Sequence, residues 1–211
     1  MPDLGLFHGQ MGVVLVMYEC SRRGSNKIYF DVASYLLDNI MEKIDKNLTY
    51  SFATGLSGIG WGIEYLIQQG FVEGDSVEIC EEIDMKIMET DPVRIMDLSL
   101  DTGLEGLLNY VIYHVQGAFK QETKLPFDDR YLSDLHVACI QLKEQNTDAS
   151  INRLLDIYIK FHVSRTCEGY NSSLIDFITP EATELPDMVT SSPLGLKDGL
   201  SGKLLKIITT K

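Results

Sequence analysis

The sequence predicts an all-α protein in which buried helices alternate with amphipathic ones, and three observations predict it. Glycine clusters recur at a nearly constant interval along the chain. Each cluster is followed by a run that is apolar on most sides. The stretches between carry apolar residues every three or four positions, and no alternating β-branched run competes with a helical reading.

The clusters are Gly5-Leu6-Phe7-His8-Gly9-Gln10-Met11-Gly12, Gly55-Leu56-Ser57-Gly58-Ile59-Gly60-Trp61-Gly62, Gly103-Leu104-Glu105-Gly106 and Gly195-Leu196-Lys197-Asp198-Gly199-Leu200-Ser201-Gly202. Their Gly-Leu pairs lie 50, 48 and 92 residues apart. The last interval is nearly double, which calls for a degenerate copy near residue 150. Asp101 to Leu108 aligns there with Asp148 to Leu155 without a gap, Ser150 replacing Gly103 and Arg153 replacing Gly106. The series becomes 50, 48, 47 and 45, the signature of a repeat array of helix pairs spanning 1–211 as one domain.

The first helix of each pair is apolar nearly all round and therefore buried: Val13 to Met17, Ile63 to Ile67, Leu107 to Val115, Leu154 to Val163, and Leu204 to Ile208. The second is amphipathic. Ile28, Val32, Leu36, Ile40 and Ile44 form one stripe. Val77, Cys80, Ile83 and Ile87 form another, and Leu132, Leu135, Cys139 and Leu142 a third. Asp75 and Asp129 are the expected N-caps of the second and third outer helices. The fourth outer helix is weak, because Pro180, Pro186 and Pro193 interrupt 172–193. Inner helices inside outer ones build an α/α toroid. Its glycines sit where inner-helix N-termini crowd together and aim unpaired N–H groups at a central cavity.

The glycine blocks resemble the repeated GLxxGxxG signature of the lanthionine synthetase C-like (LanC-like) family, the block at Gly55 most closely. The resemblance implies a toroid of seven helix pairs. It also implies peptide modification, in which active members add a cysteine thiolate to a dehydrated Ser or Thr to close a thioether ring. Those members hold one zinc through two Cys and one His, from a Trp-Cys and a Cys-His-Gly motif. Here Phe7 stands before His8-Gly9 where that Cys would be, and the only Trp, Trp61, is followed by Gly62. The zinc motif is not present, so no cofactor and no metal ligand are predicted. About five inner and four outer helices also fall short of seven pairs. The first inner helix has no preceding repeat and the last no following one, which predicts exposed apolar flanks. The consequence is either self-association or missing N-terminal repeats.

Composition bounds the partners. Lys plus Arg number 18 against 31 Asp plus Glu, a net charge of −13, with 45% apolar residues. That excludes disorder and generic nucleic-acid binding. No apolar run reaches the roughly 18–20 residues that span a bilayer. Met1-Pro2-Asp3 has no basic n-region, and the four cysteines show no paired spacing, so a reduced cytoplasmic setting is expected. The acidity favours a basic peptide partner.

The candidate site residues follow from the helix starts. His8 is the candidate acid/base group, beside the reading of a half-buried His bonded to backbone. Trp61 either stacks on a ligand at the cavity mouth or packs between helices. Glu64, Asp101, Glu105 and Asp198 lie near inner-helix N-termini, where carboxylates bind substrate or merely complement the helix dipole. His136 and Cys139 have a metal-sharing spacing, but Cys139 belongs to an apolar stripe. Cys20, Cys80 and Cys167 read as small buried hydrophobes, and His114 and His162 as facing carbonyl ends of inner helices. Three functions stay open: a zinc-less peptide-binding or accessory LanC-like protein, a thioether-forming cyclase with unusual metal ligands, and a carbohydrate-active toroid using carboxylates. Whether the chain is an enzyme is left open with them.

Overall fold

The computed structural model describes residues 3–24, 26–44, 48–144, 149–166, 168–177 and 193–210. These residues form helices and connecting turns, with no strand among them. The helices are α1 (Gln10–Gly24), α2 (Lys27–Lys43), α3 (Leu56–Gln68), α4 (Ser76–Ile79), α5 (Glu81–Met88), α6 (Leu104–Gln121), α7 (Asp129–Lys143), α8 (Ala149–Ser164) and α9 (Leu200–Thr210). Single 3₁₀ turns run over Pro92–Arg94 and Leu174–Phe177. No helix among the described residues is long and apolar enough to cross a membrane.

The five predicted buried runs fall in α1, α3, α6, α8 and α9. These helices are neighbours in the order α9, α1, α3, α6, α8. Every residue of α3 from Leu56 to Leu66 is buried, as the all-round apolar run requires. The amphipathic helices flank this series: α2 lies on α1, α4 and α5 on α3, and α7 on α8. Only Ala33 and Ile40 of α2 are buried. One continuous hydrophobic core joins the two sets.

Local chemistry sets the boundaries. Asp75 caps α4 as predicted, accepting from the Val77 amide at 2.9 Å. The cap of α7 is Asp128 and not Asp129: Asp128 Oδ1 accepts from the Tyr131 amide at 2.7 Å, and Asp129 is the first helical residue. The second outer helix is interrupted at Cys80, which has φ −93° and ψ 6°. Of the proline-broken stretch 172–193, the described part holds only the 3₁₀ turn, and Pro180 and Pro186 lie outside the described residues. So does Asp148; α8 begins beyond it at Ala149 and keeps Leu154 and Leu155 buried, as their alignment with Leu107 and Leu108 requires.

The apolar flank expected on the first inner helix is covered. α9 packs against α1, where Val14, Leu15 and Val16 are buried. Arg23 Nη1 also donates to the Ile208 carbonyl at 3.1 Å. Leu204 and Ile208 on α9 itself are half-buried.

Candidate functional site

The four loops that enter α1, α3, α6 and α9 share one hydrogen-bond pattern. The first helical amide donates to the carbonyl seven residues back: Gln10 to Asp3 (2.8 Å), Leu56 to Thr49 (2.9 Å), Leu104 to Asp97 (2.9 Å) and Leu200 to Pro193 (2.8 Å). These bonds satisfy donors that a helix start otherwise leaves orphaned. In three loops the first residue's side chain also accepts from the amide two residues on: Asp3 from Gly5, Thr49 from Ser51, and Asp97 from Ser99. The repeat therefore starts at 3, 49, 97 and 193, and its shared element is Gly-x-x-Gly at 9, 55, 103 and 199. The second glycine is required by close approach. A Cβ on Gly58 would lie 1.9 Å from the Phe52 carbonyl oxygen, and one on Gly106 2.3 Å from that of Leu100.

These loops bond to one another in series. The Lys197 amide donates to Phe7 O (3.0 Å), the Phe7 amide to Ala53 O (2.9 Å), and the Ala53 amide to Asp101 O (2.9 Å). Lys197 Nζ then meets Asp101 Oδ1 at 2.7 Å, so the fourth loop also touches the third. Asp101 is thus committed to an ion pair. His8 is exposed on this face with its ring edge-on to Phe7. Asp198 is exposed and holds a left-handed φ of 59°. Glu105 accepts from the Ser150 hydroxyl.

From 168–177, the half-buried Tyr170 and Phe177 reach onto side chains of the inner helices and their entry loops. The Phe177 ring packs on Phe7, Phe52 and Trp61, with centroids 5.0–5.7 Å away. Trp61 is fully buried, stacks on Tyr65, and donates from Nε1 to the Tyr170 hydroxyl at 3.0 Å. That hydroxyl donates to Asn109 Oδ1 at 3.0 Å. Trp61 therefore packs between helices and faces no open mouth. A cavity of about 350 Å³ remains beside 168–177, with Glu105, Asn109 and Arg153 in its wall.

Glu64 points elsewhere, into a buried polar cluster. His114 Nδ1 lies 2.7 Å from Glu64 Oε2, and its Nε2 lies 3.0 Å from Asp84 Oδ2. Gln68 donates to Glu64 Oε1 at 2.8 Å and Tyr110 to Asp84 Oδ1 at 2.6 Å. With the imidazole doubly protonated, all four carboxylate oxygens accept a hydrogen bond. Glu64 and His114 are fully buried and Asp84 is 2% exposed. Burial alone would lower the His114 pKa, but the bonds and charges of Asp84 and Glu64 outweigh it and push it up to about 9. Burial raises the Asp84 carboxyl, and His114 and Tyr110 offset this only in part. Gly117 makes room for the cluster, since a Cβ there would sit 1.9 Å from Glu64 Oε1. The arrangement clamps α3, α5 and α6 together through one buried cation.

His114 and Asp84 were not candidates from the sequence alone. The signal was a carboxylate in the apolar run of α3 and a histidine in that of α6, each needing compensation.

The described residues do not fit the zinc centre held by active members of the family that the sequence resembles. His8 has Phe7 and no cysteine beside it, while Cys20 on α1, Cys80 between α4 and α5, and Cys139 on α7 are each buried. Burial raises all three thiols, with the charge of Glu19 adding to this at Cys20 and those of Asp84 and Glu64 at Cys80. His136 stacks face to face on His162 at 4.1 Å, and Cys139 is fully buried in the core. Cys167 lies outside the described residues. Among the described residues, no three His, Cys, Asp or Glu converge as a ligand set. Comparison with protein-family models, curated proteins and solved structures returns no match to this chain.

Proposed function

We propose that the chain is a compact α/α toroid of the LanC-like kind that serves thioether-peptide maturation as a zinc-less peptide-binding or accessory protein. The observation that carries the reading is the repeated loop: four Gly-x-x-Gly helix starts with one hydrogen-bond geometry, joined edge to edge. Buried inner helices with amphipathic helices outside them support the toroid. The donor chemistry supports the non-catalytic branch, since a thiolate nucleophile or zinc ligand needs a lowered thiol pKa and burial raises those of Cys20, Cys80 and Cys139. The acidic surface favours a peptide of opposite charge.

A labelled peptide carrying one dehydroalanine and one cysteine tests this reading. Fluorescence anisotropy is expected to report saturable binding. Alkylation followed by mass spectrometry is expected to find the cysteine still free, with or without added zinc. Absence of binding would overturn the proposal, and zinc-dependent loss of the free thiol would favour the cyclase.

A further inference from the structure

A groove of about 550 Å³ opens between α4, α5 and the loop leading into α7. Its walls are mixed: Met85, Met88, Leu125 and Phe127 stand among charged side chains. Met85 is 53% exposed, and the flexible methionines suit a partner's side chains of varied shape. Phe127 also packs edge-on against Tyr110 and His114, so the groove wall is the outer skin of the buried clamp.

The charges around this groove are uneven. Glu78, Glu81, Asp84 and Asp128 line it against one cation, Lys124, and of these Asp84 is already held by His114. Neighbouring carboxylates are already matched: Glu89 by Lys86, Asp91 by Arg94 and Asp134 by Arg130. No cation among the described residues pairs with Glu78 or Glu81, and both are exposed. A groove that sets an exposed methionine beside unpaired carboxylates has a definite complement.

We propose that this groove docks a cationic amphipathic peptide segment, its apolar side chains entering beside Met85, Met88 and Phe127 and its Lys or Arg side chains pairing with Glu78, Glu81 and Asp128. The proposal rests on the groove's own residues and does not require the LanC-like reading. The net charge of −13 steers such a segment toward the protein, and the groove gives it one place to settle.

The probe is a fluorescein-labelled peptide of about twelve residues built from Lys and Leu, compared with Glu–Leu and Lys–Ser counterparts. The groove variant is Glu78→Lys/Glu81→Lys. Asp31→Lys/Asp38→Lys, on the exposed side of α2, makes the same change in net charge elsewhere. All four side chains are exposed, and unchanged circular dichroism verifies folding. The groove variant is expected to bind the Lys–Leu peptide about tenfold more weakly, and the α2 variant less than about threefold. The Glu–Leu and Lys–Ser peptides are each expected to lose about tenfold on wild type. The proposal is overturned if the Lys–Leu peptide fails to bind, if both variants weaken it equally, or if the Lys–Ser peptide binds as well. A dehydroalanine peptide that binds while the Lys–Leu peptide does not would sink the groove and leave the preceding reading standing; the reverse would do the opposite.

Discussion

At the residue scale, the controlling feature is His114 between Glu64 and Asp84. Its folded pKa of about 9 lies above the ordinary value near 6.5, so the protonated ring is the stabilising form. That contribution is complete below about pH 6.5 and is lost as the pH rises through about 9. Urea midpoints are expected to fall across this window by the equivalent of about 3 kcal/mol in wild type, and a His114→Gln variant is expected to lack that slope. At pH 7 the variant is expected to be about 3 kcal/mol less stable, because two carboxylates then face each other without a cation. A wild-type midpoint that is flat between pH 6 and 10 would exclude the charged clamp. Part of this cluster was legible in the sequence. Glu64 and His114 each interrupt an apolar run, and Asp84 lies four residues after Cys80, inside the buried stripe of its helix. The pairing was not legible, because Glu82 and Glu81 offer the same chemistry two and three residues away and only the helix phase selects Asp84.

At the element scale, the helices follow from apolar periodicity, while their starts depend on backbone geometry that letters encode ambiguously. Aligning Gly-Leu pairs puts the first and last repeats at Gly5 and Gly195. The helices begin after Gly9 and Gly199, because those clusters hold a glycine where the other two loops use Ser51 and Ser99. Asp128 and Asp129 pose the same ambiguity. Both suit a cap, and only Asp128 has the extended φ and ψ that let its carboxylate reach back to the Tyr131 amide. Asp128→Ala is therefore expected to cost about 1 kcal/mol and Asp129→Ala markedly less, measured by chemical denaturation. Equal losses would show that the start of α7 is misplaced.

At the scale of the whole molecule, the last helix packs on the first, α9 on α1. The sequence suggested otherwise, because nothing in Val13 to Met17 or Leu204 to Ile208 says which apolar face each one seeks, and contact between residues so far apart is set by the packing of the intervening helices. The central claim is that the last repeat is bonded into the first through its glycine loop, so that four loops form one cooperative face. Native-state hydrogen exchange at the amides of Lys197, Phe7 and Ala53 tests this most directly, since each donates to the neighbouring loop. If the face is one unit, all three amides exchange with similar opening free energies, close to that of global unfolding. Free exchange at Lys197 beside protected Phe7 and Ala53 would show that the α9 repeat is not joined to the rest, and would contradict the claim.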